Sequence, residues 1–421
     1  MEEDVFLGKV RMQVSEVREG MVLAQDLLAP NGRRILPAGA QIKASYLQTM
    51  KVWGVSELVV EGDGGEESAV LSPAEEELRQ KAEARVSRFF AAANQDHEAM
   101  GELRRLCAVR VAESLEKNPL AMTEEPPGQP ETGSAAQGKK PALSDLVQRE
   151  VQLCSFPDIY FRIKEVLDSP RSSATHVADV VSKDTSLSAK LLRLVNSAFY
   201  GFPSRIDSIS RAVTVIGSNE LSTLALGISA INLFKDIPPN CVNMRSFWEH
   251  SVACGVYARM LAFAKKSPYE ERFFVGGLLH DIGRLILFRR YPKFMAQALY
   301  LSKERTLQLF EAEGETFDFS HAVVGGLVLS EWKLPPVVAD MVRYHHNPVK
   351  APALFDAAVL HLADIIAGAL RRGSSGSFFV PALDDEAWKA LNLPVSVLES
   401  TIAQGERQIR EIIHAFFGEE K

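Results

Sequence analysis

The sequence predicts a mainly α protein in which an all-helical domain follows a small β-rich module and a helical linker. Three observations carry this. Helical periodicity dominates from about residue 143 to the end, where strand patterns are nearly absent. Short apolar stretches separated by turn signals are confined to residues 10–61. Between them, residues 63–142 are first charged and then rich in proline and glycine. The chain has 421 residues, 46% of them hydrophobic and 24% charged, which is ordinary globular composition and excludes wholesale disorder, a collagen-like repeat or a membrane bundle. No apolar run approaches the roughly 18 residues a membrane span needs. The start, Met1-Glu2-Glu3-Asp4, is acidic where a secretory leader is basic and then apolar, so a cytoplasmic location is expected.

The module, residues 1–62, alternates apolar stretches at 10–14, 21–23, 35–36 and 58–60 with turn signals at Asn31-Gly32 and Pro37-Ala38-Gly39. Residues 42–53 have helical spacing and end at Gly54, which predicts one helix packed on the strands. The connector, residues 63–142, opens with a capping box at Ser72-Pro73-Ala74-Glu75. Leu78, Ala82, Phe89, Phe90, Ala93, Leu103, Leu106 and Leu115 then recur at near-helical intervals up to about Lys117. A solvated connector packed on a neighbour explains this better than a dimerising coiled coil, because no clean heptad is sustained; a homodimer stays open. Residues 118–142, with Pro119, Pro126-Pro127-Gly128, Pro130 and Gly133-Ser134, read as a flexible linker. From 143 to 421 the helices are punctuated by prolines and glycines such as Pro157, Gly201, Gly217, Pro238-Pro239, Gly283 and Pro335-Pro336.

Several classes of function recede on composition. Cys107, Cys154, Cys241 and Cys254 form no CxxC pair, so they are expected to be reduced packing residues. The net charge is −7, and residues 151–421 balance 29 acids against 29 bases, so no basic footprint for nucleic acid or a membrane surface stands out. Residues 208–226 could be drawn as helix-turn-helix, yet 219–226 carries no lysine or arginine for phosphate or base edges. Gly276-Gly277 and Gly325-Gly326 read as close helix packing, and Arg371-Arg372 as a solvated helix face.

The chemistry concentrates in histidines and acids. His250, His280, His321, His345, His346 and His361 fall within little more than a hundred residues. His250 shares a helical stripe with Cys254, Tyr257 and Leu261, which points it inward. His280-Asp281 sits in an apolar helix that breaks at Gly283, and Asp364 sits in a helix among the apolar or small neighbours Leu360, Ala367 and Gly368. A buried carboxylate without a partner is costly, so both acids want a cation or a donor. His321 follows the expected N-cap Ser320, and His345-His346 ends a short helix before Asn347-Pro348. Imidazoles mixed with carboxylates suit Fe, Mn, Zn or, less well, Mg, and an acid that bridges two cations suits phosphoryl-ester hydrolysis.

At these residues the chain resembles the HD-domain phosphohydrolases, especially the HD-GYP type of cyclic-di-GMP phosphodiesterase. The resemblance implies that Asp281 bridges a divalent metal pair, with His250, His280, His321, His345, His346 and Asp364 as the other ligands. Residues 145–365 as a whole are more similar to the HDOD family, a signalling relative of HD domains. That likeness rests on Phe156-Pro157, Ser182-Lys183-Asp184, the run from Lys190 through Asn196-Ser197-Ala198-Phe199-Tyr200-Gly201, and the run from Ile209 through Ala212 to Gly217. Residues 10–61 look like the small module often found ahead of HD-GYP domains. Three departures from the HD-GYP pattern stand out. Arg284 replaces the lysine after the doublet, Ser246 stands where a glutamate could complete a third metal site, and Asn347-Pro348-Val349-Lys350 replaces a Gly-Tyr-Pro loop.

Two readings follow. In the first, the HDOD domain is a regulatory or scaffold module that binds a signalling protein partner, with its metal site retained. In the second, the protein is a metal-dependent phosphohydrolase acting on cyclic di-GMP or another nucleotide, in which Asp281 holds the metals and Arg284 steadies a phosphate oxygen.

Overall fold

A computed structural model of the protein describes residues 9–14, 17, 19–28, 34–43, 46, 57–61, 73–94, 96–117, 139–153, 158–169, 173–231, 233–234, 237 and 242–418. Two units separate, Met1–Glu77 and Leu78–Lys421. In the first, strand β1 (Lys9–Gln13) pairs antiparallel with β4 (Glu57–Glu61), Val10 opposite Val60 and Met12 opposite Leu58. A second ladder joins β2 (Leu27–Leu28) to β3 (Arg34–Leu36). Val14, Val17, Leu23, Leu27, Ile42, Leu58 and Val60 form its core. Asp26 steadies the turn after β3, accepting from the Ala38 N–H at 2.8 Å and from Arg34 at 3.2 Å; those hydrogen bonds hold its carboxyl below the usual range. Most of the helix expected over residues 42–53 lies outside the described residues, as do Ser72 and residues 118–138.

The described secondary-structure elements of the second unit are all helices. Helices α1 (Pro73–Phe89) and α2 (Glu98–Lys117), read from the sequence as a connector, are built into its core through Ala82, Val86, Phe90, Met100, Leu103 and Cys107. Polar ties add to this packing. Asn94 exchanges two hydrogen bonds with the Leu383 backbone at 2.8 and 2.9 Å, and Arg110 pairs with Glu406 at 2.7 Å.

Short helices follow: α3 (Leu143–Leu153), α4 (Asp158–Asp168), α5 (Ala174–Ser182), α6 (Thr185–Val195), α7 (Ile209–Ile216) and α8 (Ser218–Ile231). Asp184 and Ser208 cap α6 and α7 by accepting from the Leu187 and Arg211 N–H groups. Asn196, in the segment that carries the HDOD likeness, clamps the chain after α6: its amide donates to Ile206 O and accepts from Ile206 N, both at 2.7 Å. Gly201 turns the backbone at a φ of 62°, a conformation open to glycine. Helix α8 is buried along almost all of 221–231, so the second helix of the drawn helix-turn-helix is a core element.

The remaining helices hold the histidines: α9 (Met244–Ala264), α10 (Glu271–Leu279), α11 (Ile282–Arg290), α12 (Pro292–Arg305), α13 (Leu309–Phe317), α14 (His321–Glu331), α15 (Pro336–Tyr344), α16 (Leu354–Ala369), α17 (Asp385–Leu391) and α18 (Val397–Phe417). Glycine sets two of the approaches. A Cβ on Gly277 of α10 would overlap the Gly255 backbone of α9, and one on Gly283 of α11 would overlap the His321 carbonyl of α14. Only bare backbone allows these helices so close, and that closeness brings their histidines within reach of each other. Among the described residues, no helix is long and apolar enough to cross a membrane.

One expectation about the surface is corrected. Arg371 and Arg372 are half-buried rather than a solvated helix face. Helix α16 ends at Ala369, and Arg371 takes a left-handed φ of 53° that turns the chain back over the unit. Its guanidinium then lies over the Phe89 and Phe378 rings, at 5.1 and 5.7 Å from their centroids, and Arg372 pairs with Glu406.

Candidate metal centre

Apolar stripes drive polar side chains inward here. Helix α9 buries Val252, Ala253, Cys254, Val256 and Tyr257 around His250. Helix α10 is buried from Phe273 to Leu279 and ends at His280, while Asp281 has left the helical region, at φ −98° and ψ 8°, before α11 resumes. His321 opens α14, His345 caps the end of α15, and Asp364 lies in the buried middle of α16. The structure therefore brings together every residue that the HD resemblance proposed as a ligand.

The donors form groups whose atoms lie within 4.8 Å of one another: His250, His280 and Asp364; His280, Asp281 and His345; and His321, His345 and His346. In the first neighbourhood, Asp364 Oδ1 stands 3.2 Å from His250 Nε2 and 3.4 Å from His280 Nε2. Asp281 Oδ2 is 3.2 Å from His280 Nε2 and 3.7 Å from His250 Nε2. In the second, His321 Nε2 lies 2.8 Å from Asp281 Oδ1, 3.4 Å from His345 Nε2 and 3.2 Å from His346 Nε2. Nitrogen donors bound tetrahedrally at about 2.0–2.1 Å stand about 3.3 Å apart, so both neighbourhoods have the spacing of a ligand shell. Asp281 offers one oxygen to each.

Backbone acceptors fix the protons. A carbonyl oxygen only accepts, so His280 Nδ1–H donates to Gly277 O at 2.7 Å and His345 Nδ1–H to Val342 O at 2.7 Å. His321 Nδ1–H donates to the Glu313 carboxylate at 2.5 Å, and the same oxygen, Oε2, accepts from the His321 backbone N–H at 2.8 Å. Each of these imidazoles, when neutral, presents its Nε2 lone pair inward, toward carboxylates or other imidazoles, and that of His321 also meets Arg284 Nη2 at 3.2 Å. His280 Nε2 and Asp281 Oδ1 are buried with no hydrogen-bond partner among the described residues, as are the Nδ1 atoms of His250 and His346. Buried acceptors facing one another repel unless a proton or a metal cation stands between them. The donor set and its outer hydrogen bonds therefore fit a divalent metal pair.

Electrostatics show protons balancing the acids: against burial, Asp281 holds His280 well above the usual imidazole range, and against burial and Arg284, Glu313 and Asp281 hold His321 above it. Burial pushes the Asp281 carboxyl up, but Arg284, His280 and His321 outweigh it and hold it well below its usual range. Asp364 behaves alike, with burial opposed by His250 and His280 beside it. Burial, reinforced by neighbouring His280 and His321, pushes His345 down to about 3, so it stays a neutral donor. His361, in contrast, has both nitrogens engaged: Nδ1–H donates to His345 O at 2.7 Å and Nε2 accepts from the Asp384 N–H at 3.1 Å. It buttresses the His345 backbone and has no nitrogen left for a ligand bond.

Arg284, expected to meet a phosphate oxygen, is 1% exposed and turned inward. It donates to Asp281 Oδ2 at 2.8 Å, to Glu313 Oε1 at 3.1 Å and to Ser375 Oγ at 2.6 Å. The guanidinium holds the bridging carboxylate in place. Glu313 and Ser375 escaped the sequence reading. Glu313 was legible in principle, because Leu309, Ala312, Glu313, Thr316 and Phe317 share one buried face of α13, the same acid-on-an-apolar-stripe signal that marks Asp364. Ser375 carried no such signal, since only the turn after α16 brings it to Arg284. Ser320 makes no side-chain cap on α14; Glu313 fills that place.

The HDOD domain family matches residues 153–348. The helical unit carries an HDOD domain. Within it fall every proposed ligand except Asp364, which α16 supplies from beyond the matched span together with His361 and the Ser375 turn. An HDOD domain protein of unknown function from Geobacter sulfurreducens is similar at 25% identity and a TM-score of 0.54, over 65% of this chain and 98% of that one. A protein from Shewanella amazonensis SB2B, provisionally named a phosphohydrolase, has a TM-score of 0.51 at 22% identity, covering 64% of this chain and 98% of its own; that likeness is one of fold. An uncharacterised protein of Treponema pallidum (strain Nichols) is 25% identical over 212 residues, 50% of this chain, and the match spans 40% of that relative's own length.

Proposed function

We propose that this protein is a regulatory signalling protein whose HDOD domain retains a two-cation HD-type centre. The observation that carries the reading is the inward convergence of imidazole Nε2 atoms on Asp281 and Asp364, each ring of His280, His321 and His345 being held by an outer acceptor. His250, His280, Asp281 and Asp364 would hold one ion, and Asp281, His321, His345 and His346 the other. Fe, Mn and Zn suit this set better than Mg, because imidazoles outnumber carboxylates. The ligands come from α9, the α10–α11 break, α14, α15 and α16, so a bound pair would tie those helices into one rigid surface for a protein partner. The test is the metal content of anaerobically purified protein. About two equivalents in wild type and none in Asp281→Ala is the expected result, and a metal-free, well-folded wild type overturns the reading.

A second reading, phosphoester hydrolysis, is favoured by the position of Asp281 between the two donor neighbourhoods. The ions would supply Lewis acidity and an activated water to a phosphate ester. This chain's residues would do the positioning: Arg284 and Glu313 hold Asp281 and His321, and the half-exposed His346, stacked on Phe310 at 4.3 Å between centroids, borders the approach from solvent. Absence of turnover of cyclic di-GMP and bis(p-nitrophenyl) phosphate by fully metal-loaded protein would remove this second reading and leave the first standing.

A further inference from the structure

A cavity of about 340 Å³ lies away from the metal ligands, between the start of α9, the turn after α16 and the end of α18. Arg245, Arg371, Arg372, Arg410 and His414 line it, with Glu249 as the one acidic residue of the wall and Ile409 and Ile413 as an apolar side. In a chain of net charge −7, four arginines around one small cavity form a local reversal of sign. Carboxylates answer only part of it. Glu249 pairs with Arg245 at 2.9 Å, and Glu406 is shared among Arg110, Arg372 and Arg410, the last at 4.0 Å. Arg371 has no carboxylate partner among the described residues: its Nη1 donates to Phe378 O at 3.2 Å, and its face rests on Phe89 and Phe378. Burial and the nearby Arg85 both press on its charge.

We propose that this cavity is a binding site for a small phosphate monoester, separate from the metal centre. Guanidinium groups match the oxygens of a phosphate dianion in pairs, and the Ile409–Ile413 side offers an apolar wall to the organic body of the ester. The volume suits a ligand of mononucleotide size. The site also has a route to the metal centre. Gly373, at a φ of 67°, seats the turn against α9 so closely that a Cβ there would overlap Ser246 O and crowd His250 N, and Ser374 N–H donates to Ser246 O at 3.0 Å. The next residue, Ser375, accepts from Arg284 at 2.6 Å. A ligand gripped by Arg371 and Arg372 therefore fixes the turn that delivers Ser375 to the guanidinium holding Asp281.

The test is calorimetric titration and thermal melting of the full chain with AMP, inorganic phosphate and adenosine at fixed ionic strength, before and after EDTA dialysis. AMP is expected to bind and raise Tm in both preparations, adenosine to do neither, and inorganic phosphate to bind more weakly because it lacks the apolar body. Arg410→Ala on the exposed face of α18, and Arg371→Met, which keeps the packing on Phe89, are each expected to weaken AMP at least tenfold. Inorganic phosphate binding as tightly as AMP would overturn the assignment to an ester. Equal binding of adenosine, loss of the response after EDTA, no response to AMP, or undiminished affinity in both variants would overturn the site.

Discussion

The two polar clusters of the helical unit are opposites in charge and in how their hydrogen atoms point. In the metal centre, Asp281, Asp364 and Glu313 outnumber Arg284, and the histidine protons on Nδ1 face outward, so with neutral rings acceptors meet acceptors in the middle. In the cavity bounded by α9 and α18, guanidinium donors outnumber the carboxylates that answer them. The difference teaches what each can hold: an excess of inward lone pairs recruits a cation, and an excess of inward N–H groups recruits an anion. They share the turn at 373–375, which bonds to Ser246 of α9 on one side and to Arg284 on the other.

The strongest way to break this contrast is Asp281→Ala. It removes the one carboxylate common to both donor neighbourhoods and leaves Arg284 buried beside Glu313 alone. Metal content should fall to zero, and loss of a buried ion-pair partner should cost about 3–5 kcal/mol in chemical denaturation. Metal retained at wild-type level would show that Asp281 bridges nothing.

Acidification comes next. His345 is held neutral down to about 3 in the folded state, against 6.5 for an ordinary histidine. Its folded pKa is depressed, so the unfolded chain binds more protons, and the stability it contributes is present above about 6.5 and lost as pH falls from there toward 3. Asp281 and Asp364, also depressed, act in the same direction below their ordinary range. A melting temperature of EDTA-dialysed protein that stays flat from pH 7 to 4 would contradict this protonation scheme.

Glu313→Gln sharpens the contrast within the centre, since it keeps the shape but weakens the acceptor that orients His321. Metal affinity at the His321, His345 and His346 side should drop about 10–100-fold, with the His250 side less affected, as a metal-titration isotherm would resolve. Gly373→Ala should cost about 1–3 kcal/mol, because its left-handed φ and the overlap with Ser246 O are both forbidden to a side chain. Arg410→Ala should leave stability within about 0.5 kcal/mol of wild type, since that side chain is 69% exposed; a larger loss would mark it as structural.

Periodicity and breaker residues were enough to expect a helical domain behind a β-rich module, because an amphipathic stripe reports burial directly. The ligand set was legible for a related reason. His250 on an apolar stripe, Asp281 at a helix break and Asp364 among small neighbours are polar groups in positions that burial makes costly, and such positions demand a partner wherever they lie. Glu313 carried that signal too. What sequence could not supply was direction and distance: that Arg284 turns inward to Asp281, that His361 faces backbone while its helix-mate Asp364 faces metal ligands, or that Ser375 arrives beside Arg284. Helical spacing places a residue on one face of its own helix, whereas those contacts depend on how closely glycine lets other helices approach and on one left-handed turn at Arg371, and only the packed tertiary structure sets both.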